Sequence, residues 1–259
     1  EAGYKKGLAQ GLRTHGFTHI RLARHKEATG LLTEALHLFE ELKDAEGMSD
    51  VLEYFGIVSR SSGHFDASLD YLYKSLDLRQ QATYSEGESL SYYHLGVTYK
   101  YMGNYDKALH YLLKCLSLAR EKHFWVSESY AMNLIGQIYF ETADYQQALS
   151  YYQQSLTIRR ESGDQWGEAG CLDNIGYTYY KLGDLEKAVQ HCSESLAICR
   201  DSGDKRGQGN ALFHLSEIRR LMAENDVITN FESEVRRRDG SVNWVDEHGR
   251  ADRHEKREV

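Results

Sequence analysis

Apolar residues recur along this chain at intervals of three and four, the spacing that gathers them on one side of a helix. Between Glu86 and Gly103 they fall at Leu95, Tyr99 and Met102, and between Tyr105 and Leu118 at Leu109, Leu112 and Leu116. Two amphipathic helices are therefore predicted, joined by a very short turn. Gly103-Asn104 supplies that turn, as Gly183-Asp184 does further on. The glycine accepts a left-handed backbone, and the Asn or Asp side chain caps the helix that follows. So short a loop forces the helices antiparallel.

The whole pattern repeats every 40 residues. Gly16, Gly56, Gly96, Gly136 and Gly176 form one column, with Ser216 in the sixth register, and Ala23, Gly63, Gly103, Ala143, Gly183 and Ala223 form a second. Ala28, Ser68, Ala108, Ala148 and Ala188 make a third, and Leu36, Leu76, Leu116, Leu156 and Leu196 a fourth. Four columns that hold one period without insertion or deletion mean tandem copies of one packing unit. Small residues at 96 and 108 let the two backbones of a unit approach, so that their large neighbours interlock. The expected units are 6–45, 46–85, 86–125, 126–165 and 166–205, followed by a lone first helix at 206–224. One hairpin cannot cover its own apolar face, so stability must come from stacking.

Leu95-Gly96, Tyr99, Gly103, Tyr105, Ala108 and Leu116, matched by Ile175-Gly176, Tyr179, Gly183, Ala188 and Leu196, resemble the tetratricopeptide repeat. The resemblance covers about residues 6–224. The 40-residue period exceeds the family's common ~34, and no Pro separates the units; both departures fit a variant with longer helices. Armadillo and HEAT arrays share the period but not this Gly and Ala signature. What the resemblance implies is an all-α fold, a right-handed superhelical solenoid of antiparallel helix pairs with a concave groove.

By the same resemblance, first-helix columns face that groove: Tyr93, Asn133 and Asp173; Val97, Gln137 and Tyr177; Lys100, Phe140 and Tyr180. Asn174, beside Asp173, joins them. Exposed rings among amides suit an extended or helical peptide, the rings covering apolar side chains and the amides bonding main chain. The other reading of these positions is packing against the next repeat. Tyr99, Tyr139 and Tyr179 share a column expected to pack between the two helices of a unit. The basic and Asn pattern of the family's chaperone-tail clamps is missing, since Leu90, Tyr93 and Val97 stand in its columns.

After Glu224 the period stops. Phe231 to Val245 alternates as strands do, and Asp239-Gly240 marks a tight turn between two such runs. A short C-terminal β-hairpin or a disordered tail is expected over 225–259. Arg238-Asp239-Gly240-Ser241, Trp244 and Gly249-Arg250-Ala251 resemble the last hairpin of PAS sensory domains. Only about a quarter of such a domain is present, without the part that would hold a cofactor. Residues 236–238, three arginines, read as a solvated strand edge because acidic residues outnumber basic ones in this segment.

Composition narrows the function. The 259 residues are 41% hydrophobic and 27% charged, enough to build a core, and the formal charge of −8 argues against nucleic acid or an anionic membrane as partner. No apolar run approaches the ~20 residues of a membrane-spanning helix, and Glu1 to Gln10 lack the layout of a secretory signal. A cytoplasmic protein is expected. The chain opens without Met and inside a helix, which reads as a piece of something longer.

Cys115, Cys171, Cys192 and Cys199 show no paired spacing and read as reduced, buried fillers. His15 and His19 stand one helical turn apart, but no Glu follows His15 and no third ligand is placed, so no metal is expected. P-loop, dinucleotide and nucleophile-elbow patterns are missing, so no cofactor and no catalysis are expected of these residues. The resulting expectation is a scaffold that takes a protein or peptide in its groove. The alternative is the N-terminal sensory region of a bacterial signalling enzyme, such as a diguanylate cyclase, histidine kinase or adenylate cyclase. A transcriptional regulator ranks third, for want of a helix-turn-helix. Leu212, Phe213, Leu215, Ile218 and Leu221 lie on a helix with no second helix to cover it, so self-association or the tail is expected there.

Overall fold

Eleven helices fill residues 2–224, which this computed structural model describes together with the backbone of two short strands. Five antiparallel pairs come first: α1 (Ala2–Arg21) with α2 (His25–Leu42), α3 (Ala45–Ser61) with α4 (Phe65–Gln81), and α5 (Ser85–Tyr101) with α6 (Tyr105–Lys122). Then come α7 (Trp125–Glu141) with α8 (Tyr145–Ser162) and α9 (Gln165–Leu182) with α10 (Leu185–Asp201). The last helix, α11 (Lys205–Glu224), packs on α9 and α10. Strands β1 (Ser233–Arg236) and β2 (Val242–Val245) pair antiparallel, Ser233 opposite Val245. The Asp239-Gly240 turn and the remainder of the PAS-like stretch lie outside the described residues.

Each of the ten turns between α1 and α11 contains one residue of positive φ, and these are spaced 20 apart: Ala23, Lys43, Gly63, Thr83, Gly103, His123, Ala143, Gly163, Gly183 and Gly203. The structural half-period is therefore 20 residues. Sequence columns reveal it only within the hairpins, because Lys43, Thr83 and His123 carry no small-residue signal in the turns between units. Asn104 and Asp184 cap as expected, accepting from the Lys107 amide at 3.1 Å and the Lys187 amide at 3.2 Å. Met102 is not a packing residue of α5; it stands just past its end, 42% exposed.

Packing within a unit follows from the small residues. A Cβ on Gly96 would stand 2.6 Å from Leu112 and 3.3 Å from the Ala108 carbonyl, so only glycine allows α5 and α6 this close. Leu112 fills the space and is fully buried, a burial that contributes roughly 1.5–3 kcal/mol. The tyrosine column packs between the paired helices: Tyr99 stacks on Tyr111 and Tyr139 on Tyr151, both with centroids 5.6 Å apart, and Tyr179 stacks on His191.

Units join through a second slot. Phe39, Arg79, Ala119, Arg159 and Cys199 occupy one column near the ends of the second helices, and eight residues later come Gly47, Gly87, Ser127, Gly167 and Gly207. Large residues in the first column face glycine in the second: a Cβ on Gly47 would meet the Phe39 ring at 2.3 Å, and one on Gly207 would meet the Cys199 sulfur at 2.5 Å. Where the first column shrinks to Ala119, the second grows to Ser127.

Successive first helices lie close along their backbones, α1 to α3, α3 to α5, α5 to α7, α7 to α9 and α9 to α11. Successive second helices stand farther apart and meet through long side chains, Tyr73 of α4 with Tyr111 of α6 at 2.9 Å and Arg160 of α8 with Glu194 of α10 at 2.5 Å. Closer spacing on one side curves the stack, and the first helices form the inner wall. The curvature brings the end of α1 near the start of α9, with the Arg21 guanidinium 5.9 Å from the Trp166 ring centroid.

Candidate interaction surface

The inner wall is a set of rungs between neighbouring first helices. Tyr93 of α5 is half-buried against Tyr130 of α7, centroids 5.6 Å apart, and burial pushes its hydroxyl up to about 12. Lys100 reaches Glu141 at 2.6 Å. Asn133 of α7 accepts from the Asn174 amide of α9 at 3.1 Å. Asp173 of α9 pairs with His214 of α11 at 2.9 Å. Val97 is 9% exposed and belongs to the core against α7, so it presents little surface to a partner.

Phe140, Tyr177 and Tyr180 come together into one aromatic strip. The Tyr177 ring lies 5.6 Å from Phe140, 5.4 Å from Tyr180 and 4.1 Å from His214, stacked on the last two. Lys181 extends over both tyrosines. These rings and Gln137 remain half-buried, while Tyr130 and Trp166 are exposed. Sequence reading passed over His214, Tyr130, Lys181 and Trp166. His214 was within reach, because it stands in the Asn174 column one period on.

The buried charge cluster between α3, α4 and α5 was also not foreseen. Arg79, 1% exposed, holds Glu53, bonds Asp50 at 2.7 Å, and donates to Ser49, Ser91 and the Gly87 carbonyl. Arg13 of α1 reaches the other oxygen of Asp50. Burial pushes Asp50 up despite these cations. His94 stands 3.8 Å from Glu53; burial, then Arg60 and Arg79, hold its pKa well below the usual 6.5. A buried network of this kind ties α1, α3, α4 and α5 together, most of its polar atoms being taken up by one another.

All four cysteines are buried, and burial pushes the Cys115 and Cys192 thiols up to about 12. Cys192 lies beside Asp173 and His214, one ligand-type atom of each falling within 4.8 Å of the others. His15 and His19 approach to 3.2 Å, and no third ligand joins them among the described residues. Beyond α10, Leu212 and Phe213 are exposed on α11. A cleft of about 640 Å³ lined by Leu196, Arg200, Leu212 and Leu215 lies between these two helices. No described helix is long and apolar enough to cross a membrane.

Family models named tetratricopeptide repeat match residues 87–161 and 169–201. These segments are tetratricopeptide repeats. Among solved structures, the array is similar to a Rap protein complexed with competence and sporulation factor, at TM-score 0.71 and 16% identity over 84% of this chain and 64% of that one. It is similar to aspartyl phosphate phosphatase F from Bacillus subtilis at TM-score 0.69 and 14% identity, over 83% and 59% of the two chains. BtubC from P. vanneervenii gives TM-score 0.64 and 17% identity, over 78% and 84%. At such identities the likeness is one of fold. The chain thus spans about three fifths of the length of the first two. No curated protein matches it. The tetratricopeptide matches fall inside 87–201 and leave the PAS resemblance without support.

Proposed function

We propose that this tetratricopeptide array is a binding scaffold that holds a peptide or an extended protein segment along the first helices of its inner wall. The observation that carries the reading is the half-buried strip of Phe140, Tyr177 and Tyr180, flanked by Gln137, Asn174 and Lys181 on one curved face. Aromatic faces cover apolar side chains at low entropy cost, and neighbouring amides bond main chain. Tyr93, Asn133, Lys100 and Asp173 support the wall chiefly by joining its helices; Val97 supports it from the core. A structural neighbour is a Rap protein solved in complex with competence and sporulation factor.

Selection of random linear peptides on the purified chain tests the proposal. Peptides recovered on the parent should bind the Tyr177→Ala/Tyr180→Ala variant roughly tenfold more weakly, the equivalent of about 1.4 kcal/mol, while its far-ultraviolet circular dichroism stays unchanged. Equal binding to both proteins would remove the inner wall from consideration. The sensory-region alternative draws on 231–253, most of which lies outside the described residues.

A further inference from the structure

The geometry points to a transition-metal site formed by Asp173 of α9, Cys192 of α10 and His214 of α11, and we propose that it takes Zn²⁺ or a cation of like chemistry. The three donor atoms, a carboxylate oxygen, a sulfur and an imidazole nitrogen, lie within 4.8 Å of one another, with His214 Nδ1 2.9 Å from Asp173 Oδ1. Asp173 and Cys192 are buried and His214 half-buried. One sulfur, one nitrogen and one oxygen donor suit a borderline-soft ion in tetrahedral coordination and ill suit Mg²⁺ or Ca²⁺. Three protein ligands leave the fourth position for solvent. On binding, the Cys192 S–H bond breaks, its proton passes to solvent, and a metal–thiolate bond forms.

Tandem repetition supplies a control within the same molecule. Three periods earlier, the corresponding residues are Glu53, Leu72 and His94. There too a carboxylate and an imidazole face each other, 3.8 Å apart, but a leucine stands where the thiol would be. Across the units that column reads Leu32, Leu72, Leu112, Tyr152 and Cys192, so the last complete unit alone replaces a large packing side chain with a ligand. Gly176 makes room for it: a Cβ there would lie 2.5 Å from the Cys192 sulfur. Tyr177, stacked 4.1 Å from the His214 ring, holds that imidazole in place. The ion would pin α11 to the final hairpin, at the end of the array where no following first helix covers it among the described residues.

Co²⁺ titrated into the full chain, kept reduced with a phosphine, reads the site directly. Expected are one equivalent bound, a near-ultraviolet sulfur-to-cobalt band, the visible bands of tetrahedral Co²⁺, and displacement by Zn²⁺. Cys192→Ala should abolish the sulfur band, and His214→Gln should weaken binding by at least the roughly tenfold that loss of an outer partner already costs. Cys199→Ala and His94→Gln should leave the spectrum intact, and circular dichroism of each variant separates lost ligation from lost fold. Binding without a sulfur band, as surface histidines such as His15 and His19 would give, overturns the proposal. So does a band that survives Cys192→Ala.

Discussion

Arg79 and Arg159 occupy the same slot two units apart, yet the molecule solves the two junctions differently. Arg79 takes its counter-charges from the helix behind it, Asp50 and Glu53 of α3, and none from the turn ahead, where Tyr84 offers a ring 5.8 Å away. Arg159 does the reverse. In its unit the Asp50 and Glu53 columns hold Tyr130 and Asn133. The guanidinium lies 5.1 Å from the Tyr130 ring and pairs forward with Asp164 at 2.7 Å, the residue that also caps α9. The turn differs as well, Thr83 against Gly163, both with positive φ. One backbone slot thus accepts a deeply buried charge only when the rest of the unit rearranges its polar residues around it.

Neutralising each cation separates the two solutions most sharply. Arg79→Met leaves Asp50 and Glu53 buried without their main partner and should cost about 3–5 kcal/mol in urea unfolding. Arg159→Met strands only the partly exposed Asp164 and should cost roughly 1 kcal/mol. Equal losses would mean that the buried carboxylates find other partners.

Acid should act on the Arg79 junction first. The folded chain holds His94 neutral well below 6.5, whereas the unfolded chain takes up that proton near 6.5. Stability therefore falls as pH drops below about 6.5, by up to about 1.4 kcal/mol per pH unit, until the folded pKa is passed. Asn174 fills the corresponding column at the other junction and does not titrate. His94→Gln should flatten the urea midpoint between about pH 7.5 and about pH 5.5. His191, also lowered by burial, leaves a smaller residual slope.

The turns give the smallest effect. A β-branched residue at φ 54 carries strain that glycine would not, partly offset by the freedom glycine gains in the unfolded chain. Thr83→Gly should raise stability by about 0.5 kcal/mol, whereas Gly163→Ala should lower it. A lower midpoint for Thr83→Gly in thermal unfolding would show that the threonine contacts outweigh the strain.

Much of the array was legible because a repeat writes its packing rules several times over. Gly96 against Leu112, Tyr99 on Tyr111, and the Asn104 cap all follow from columns of small, aromatic and capping residues. The same averaging hid what occurs once. Arg79 looks like a solvated helix residue, since nothing in its neighbourhood along the chain announces Asp50 and Glu53 on the preceding helix. The groove positions were named as columns, but their use was not: Val97 is packing, Asp173 is committed to His214, and only the Phe140–Tyr177–Tyr180 strip gathers rings on one face.

Helix number, the turns within each hairpin and the tetratricopeptide character were set by the sequence itself, because periodic burial and left-handed hairpin turns are local requirements stated in adjacent residues. The tertiary structure decided which polar residues meet: Arg79 with Glu53, Arg21 with Trp166, and Asp173 with Cys192 and His214. Those meetings depend on how neighbouring units stack and curve, a geometry fixed by the sum of many side-chain volumes and stated at no single position.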